Sequence, residues 1–194
     1  MRSPIPPPIP SHPSEFSCID LINSAFSHHL GKGPGFDRLS QPEWRAWFLK
    51  RHGLEVGPQD SAPIEELTAL RTQLRTILER WARVGSLQAR DAQILDRWVG
   101  RTPLFQRVKG VSSRVELTIG PMRRDWNWAM GRIAVSAVEL VASHPPERLK
   151  VCANPDCSWM FYDHTLNRSK RFCSTNPCGN VVRVRQFRRR RTAV

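Results

Sequence analysis

The chain has 194 residues, 40% of them hydrophobic, with seven tryptophans and a net charge of +13. That length suits one ordinary domain plus a small module, and that apolar content excludes a wholly disordered chain. The charge points to a polyanionic partner, because basic surfaces gather nucleic acid or acidic membrane through counterion release. No run approaches the roughly 20 apolar residues of a membrane span, and prolines occupy the N-terminus where a signal peptide carries its apolar stretch. The expectation is a cytoplasmic protein with no membrane partner.

Residues 1–14 (MRSPIPPPIPSHPS) read as a disordered lead-in, since proline fixes φ and removes backbone donors. Phe16, Ile19, Ile22 and Phe26 recur at helical spacing, which predicts a first helix over 16–30 with Gly31 and Gly33 as its stop. Cys18 falls on its apolar side and is expected to be a buried core thiol. Pro42 at a first turn, then Trp44, Trp47 and Phe48, predict a short second helix over 41–52. Ser61 and Pro63 open the clearest helix, where Leu67, Leu70, Leu74, Ile77 and Trp81 run at spacings of three and four to Gly85. Ser86 is placed to cap the next helix, with Ile94, Leu95 and Trp98, ending near Gly100.

The period then changes. The runs LFQRV and SRVELTI, divided by Lys109 and Gly110, predict a two-stranded hairpin between Leu104 and Ile119. Gly120 and Pro121 end it, and Trp126, Met130, Ile133, Ala137, Val138 and Val141 predict a long helix. The tract SHPPER, from Ser143 to Arg148, marks a boundary, because paired prolines end helices and stiffen linkers. The predicted organisation is a helical domain over 15–142, a linker over 143–149 and a C-terminal module over 150–194. The fold class is mainly α with a small β-hairpin. No Gly-rich phosphate loop, H-E-x-x-H or serine elbow is present, so no catalytic residue is assigned and the chain is not expected to be an enzyme.

The C-terminal module holds the chemistry. Cys152 and Cys157 form one C-x4-C pair, and Cys173 and Cys178 form a second, fifteen residues on. Two close-spaced pairs let two tight turns offer four sulfurs to one tetrahedral Zn²⁺. Pro155 and Pro177, with Asn154, Asp156, Thr175 and Asn176, give both loops turn chemistry. Four closed thiolates leave no open coordination position, so the zinc is structural. Trp159, Phe161 and Phe172, joined by Phe187, are the expected mini-core, with Trp159 to Tyr162 and Lys170 to Cys173 as a short hairpin between the pairs. His164 is a fifth potential ligand that the complete cysteine shell does not need. Gly179 and Asn180 lead into a helix through Arg191, and a metal held by a knuckle and a helix start resembles a treble-clef finger.

These residues also carry a family resemblance. Cys157, Trp159, Phe161 and Asp163 as CxWxFxD, then NRSKRFC and CGN, resemble the bacterial CGNR zinc finger over about 40 residues. That family pairs its finger with an N-terminal helical domain, ABATE, proposed to act in stress-induced transcription regulation. Residues 16–142 are similar in size and pattern, with Ile19, Asp20, Leu21, Ile22 and Asn23 resembling its opening helix. One departure stands out: Val181 follows Asn180 where the family has arginine, and the next arginines are 183 and 185.

Residues 151–194 carry nine Arg or Lys against Asp156 and Asp163. Helical spacing turns Val184 and Phe187 towards the zinc core and leaves Arg183, Arg185, Arg189 and Arg190 outward, with Arg188 and Arg191 nearer the Phe187 side. Arg168, Lys170 and Arg171 add a second basic edge. Arginine forks suit phosphates and guanine edges, so nucleic acid, duplex DNA first, is the expected partner. The helical domain is then left to sense a small-molecule effector or to form a homodimer. A protein-interaction adaptor, or RNA binding, is the alternative.

Overall fold

The computed structural model describes residues 13–26, 35–57, 60–111 and 114–192. The proline-rich lead-in up to residue 12 lies outside them, as do Gly31 and Gly33, the expected stop of the first helix.

The first helix, α1 (Ser17–Ile22), is shorter than its apolar spacing suggested. Ser24 Oγ donates to the Leu21 carbonyl at 2.7 Å, and the Asn23 amide bonds a distant backbone, so local polar side chains take over the chain's hydrogen bonding and end the helix. Strands β1 (Ala25–Phe26) and β2 (Phe36–Asp37) pair next, and α2 (Pro42–Arg51) follows with Pro42 in its first turn. The long helix α3 (Ile64–Val84) buries Leu67, Leu70, Leu74, Ile77, Leu78 and Trp81, and stops at Gly85, whose φ of 81° only glycine adopts without strain. Helix α4 (Ala89–Val99) begins three residues beyond Ser86, with Gln88 at its N-cap. Asp91, which accepts the Gln88 N–H at 3.4 Å and pairs with Arg80, fixes that start in place of the serine.

Strands β3 (Leu104–Val111) and β4 (Arg114–Pro121) form the expected hairpin, with β3 running on through Lys109 and Gly110. Helix α5 (Trp126–Ser143) is capped by Asp125, whose carboxylate accepts the Trp128 N–H at 3.0 Å. It crosses α4 closely: a Cβ on Gly131 would lie 1.8 Å from Thr102 Oγ1 and 3.2 Å from the Trp98 carbonyl. Helices α1, α3, α4 and α5 enclose the core around Trp44, Leu74, Ile77 and Ile133. Cys18 is fully buried there, and burial pushes its thiol up to about 12.

Residues 143–149 do not hang as a spacer. Pro146–Arg148 forms a 3-10 turn, and Leu149 enters the main core as the first residue of β5 (Leu149–Val151). The partner of β5 is β6 (Met160–Tyr162), in the register Leu149↔Tyr162 and Val151↔Met160. The finger's hairpin is therefore made with the segment before the first cysteine, and the expected pairing of 159–162 with 170–173 does not form. The last described element is α6 (Asn180–Thr192). The whole is mainly α, with small antiparallel pairs and a C-terminal cysteine cluster.

Candidate metal centre

Strand pairing places the first two sulfurs. The Cys152 N–H donates to the Trp159 carbonyl at 2.9 Å, which closes the β5–β6 hairpin over a six-residue loop. Within that loop the Cys157 N–H donates to the Asn154 carbonyl at 2.9 Å, a tight knuckle that turns Cys152 and Cys157 to one side. The second pair lies across a helical turn, Thr175–Gly179, that runs into α6 and carries Cys178 at its buried side. The result is one sulfur pair on a knuckle and one at a helix start, the arrangement of a treble clef.

All four sulfurs lie within 4.8 Å of one another. Cys157 and Cys173 are 3.9 Å apart and Cys173 and Cys178 are 3.6 Å apart, close to the roughly 3.8 Å edge of a tetrahedron with Zn–S bonds near 2.3 Å. The donor set fits one structural Zn²⁺. Four thiolates this close cannot ionise together without a cation among them. Hydrogen bonds from Cys157 and Cys173 hold the Cys152 thiol well below its ordinary range, and the same contacts push those of Cys157 and Cys173 up. A divalent ion placed between the sulfurs removes that competition.

Outer groups complete the shell. The fully buried Asn154 directs its amide to Cys178 Sγ at 3.7 Å, and the Cys173 N–H points at Cys152 Sγ at 3.5 Å. Such N–H···S contacts spread thiolate charge and orient the ligands. Phe161 is buried beside Cys152 and Cys178, with Trp159 and Phe172 packed around them, as the sequence suggested. Phe187 and Val184 are not part of this mini-core. They are 61% and 48% exposed, because α6 leaves the finger after its first turn and only Val181, Val182 and Arg185 are half-buried. His164 lies outside the sulfur cluster, 3.2 Å from Glu15 on the surface.

A second polar hub organises the basic edge. Asp163 is fully buried and accepts from Lys150 Nζ at 2.6 Å, Thr165 N–H at 2.9 Å and Lys170 N–H at 3.0 Å. Burial alone would raise its carboxyl, but these donors more than offset it and hold the group well below the usual carboxylate range. Lys150 also donates to the Lys170 carbonyl at 3.2 Å and to the Arg168 carbonyl. Nothing in the cysteine spacing signals this hub. The D of CxWxFxD and the lysine two residues before Cys152 were the available traces.

The candidate basic residues fall in two places flanking the second cysteine pair. Arg168, Lys170 and Arg171 are exposed on the loop around Asp163, with Arg168 paired to Glu147 and Lys170 lying 5.1 Å over the Phe161 ring. On α6, Arg183, Arg189 and Arg190 are exposed. Arg185 instead turns back to Asp156 in the first cysteine loop, tying the helix to the knuckle. Val181 occupies a half-buried position on the first turn.

The finger is seated on the helical domain. Asn23 Nδ2 donates to the Met160 carbonyl and Asn23 Oδ1 accepts the Met160 N–H, each at 2.8 Å, so one amide side chain acts as an extra strand residue for β6. Arg75 Nη2 donates to the Ser158 carbonyl at 2.8 Å. Sequence spacing had marked Asn23 only as part of the opening helix motif.

Two family models match. One, CGNR zinc finger, covers residues 148–191, the segment that holds the four sulfurs, the Asp163 hub and most of α6. The other covers residues 17–144 and carries the description "ABATE: Putative stress-induced transcription regulator". No curated protein matches the chain. Among the described residues no helix is long and apolar enough to cross a membrane. With the second model spanning well over half of its residues and the first accounting for the metal centre, the chain belongs to the ABATE family and carries a CGNR zinc finger over residues 148–191.

Proposed function

We propose that the chain is a DNA-binding transcription regulator, in which the zinc finger offers α6 and the loop carrying Arg168, Lys170 and Arg171 to duplex DNA. The observation that carries this reading is the state of α6. It starts beside Cys178 of the metal centre, and from Arg183 to Arg191 every residue except Arg185 is exposed. No acidic residue follows Asp163. A helix of 13 residues with so little packing is marginal by itself in water. Four consecutive arginines, 188 to 191, concentrate positive charge on its last turns, and such a concentration favours a polyanionic surface. A protein-interaction adaptor would want an apolar stripe at helical spacing, and α6 offers only Val184 and Phe187.

The test is fluorescence anisotropy of the zinc-loaded protein with duplex DNA over a range of salt. Log affinity should fall steeply against log salt, and Arg183→Ala with Arg189→Ala and Arg190→Ala should flatten the slope by about 0.9 for each phosphate that is no longer neutralised. Arg185 stays in place in that variant because it anchors the helix to Asp156. An unchanged slope, or no binding by the parent at low salt, defeats the reading and favours the adaptor.

A further inference from the structure

The hairpin β3–β4 has no task in the metal centre or on the basic surface. We propose that it is a self-association surface, packing face to face against the same hairpin of a second copy of this chain. The ladder pairs Val108 with Leu117, Gln106 with Ile119 and Gly110 with Val115, and side chains alternate between the faces of a strand, so Leu104, Val108, Val115, Leu117 and Ile119 share one face. All five are exposed, from 57% at Leu104 to 79% at Val115. The opposite face is charged and polar apart from Phe105: Arg107 stands across from Thr118, Lys109 across from Glu116, and the half-buried Phe105 ring lies under the Arg107 guanidinium. The exposed aliphatic side chains of the hairpin are thus gathered on one side and its charges on the other.

An isolated two-stranded hairpin is marginal in water and needs a third element on its apolar side. Among the described residues this chain does not supply one, since the five aliphatic side chains stay open to solvent. They offer on the order of 500 Å² of apolar surface, at the upper end of what a monomer exposes; two such faces together would bury about 1,000 Å², the lower bound for a specific interface. The face is uncharged, pleated and aliphatic apart from Gln106, so a copy of itself stacked about 10 Å away is a matching partner, and a twofold axis makes the contact self-complementary. Nucleic acid has nothing to place on such a face. A lipid surface is favoured by interfacial Trp and Tyr, and this face has no aromatic residue.

The inference is independent of the DNA reading, and salt separates the two. Two copies that each carry +13 repel, so screening should strengthen an apolar contact between them while it weakens DNA binding. Sedimentation equilibrium of the zinc-loaded full chain should give twice 22.3 kDa, with association firmer at high salt. Val115→Thr with Leu117→Thr and Ile119→Thr keeps strand-forming residues and should give 22.3 kDa, with zinc content and binding to a single-site duplex unchanged. Val108→Lys, on the other strand, should do the same and guards against a triple variant that fails to fold. A parent that stays monomeric up to its solubility limit, a folded variant that associates as tightly as the parent, or a monomer that floats with anionic vesicles through this hairpin would each overturn the proposal.

Discussion

The helical domain and the finger are held together by different physics. In the domain Trp44, Leu67, Leu70, Leu74, Ile77, Leu78 and Ile133 are each at most 1% exposed, and apolar area removed from water is the main stabilising term. In the finger, among the described residues, the only buried aromatic beside the sulfurs is Phe161, and the metal and the polar contacts of Asn154 and Asp163 take the place of a core. The largest expected effect follows from that contrast. Cys173→Ser, or a strong chelator, should release the zinc and melt the finger, because structural zinc binding in such modules supplies about 10 to 16 kcal/mol of apparent folding energy. The helical domain should keep a cooperative thermal transition, since none of the four sulfur ligands belongs to its core cluster. Elemental analysis and calorimetry of the two proteins check this, and loss of the domain transition together with the zinc would erase the distinction.

The seam between the regions limits how cleanly they separate. Leu149 and Met160 belong to the main core although they stand on the finger's two strands. Asn23 supplies both hydrogen bonds to Met160 from α1's end, and Met160 is 1% exposed. Asn23→Ala leaves a buried N–H and C=O without partners, which should destabilise the seam by about 2 to 4 kcal/mol. Zinc content should stay at one per chain while amide exchange in β5 and β6 accelerates. Exchange confined to the β1–β2 pair would mean that Asn23 serves only its own turn.

Most of the domain was legible in the sequence because its helices carry unbroken apolar spacing and end at glycine or proline. Leu67 to Trp81 before Gly85 is the clearest case. Helix α1 was overread because the same spacing continues past Asn23, and nothing local reveals that the Asn23 amide is drawn to a backbone 137 residues away. The four zinc ligands were legible because short-range turns bring each pair together. The mini-core around Phe187 was not, because periodicity assigns faces to a helix without showing where the helix leaves the surface. Arg185 looked like its neighbours in sequence, and only the fold of the first cysteine loop puts Asp156 against it.

The smallest expected effect concerns Asp163 and how acid dismantles the finger. Its folded value lies below the ordinary 3.8, so its contribution is fully present above 3.8 and is lost only as pH falls through the lower folded value. Zinc release takes up protons on the thiolates, whose ordinary value of 9.0 lies far above that range. The parent's acid transition should therefore track zinc loss while Asp163 is still ionised. Asp163→Asn removes the charge facing Lys150 and weakens the N–H bonds of Thr165 and Lys170, so the loop before Cys173 should loosen by about 1 to 2 kcal/mol. The midpoint of zinc release should move to higher pH, with the number of protons taken up unchanged because Asp163 is not among the groups that titrate there. Release followed with a zinc dye, against proton uptake in weakly buffered solution, measures both quantities. A variant whose midpoint stays put shows that the hub orders the basic loop without supporting the metal, and one that takes up fewer protons shows that Asp163 titrates with the thiolates.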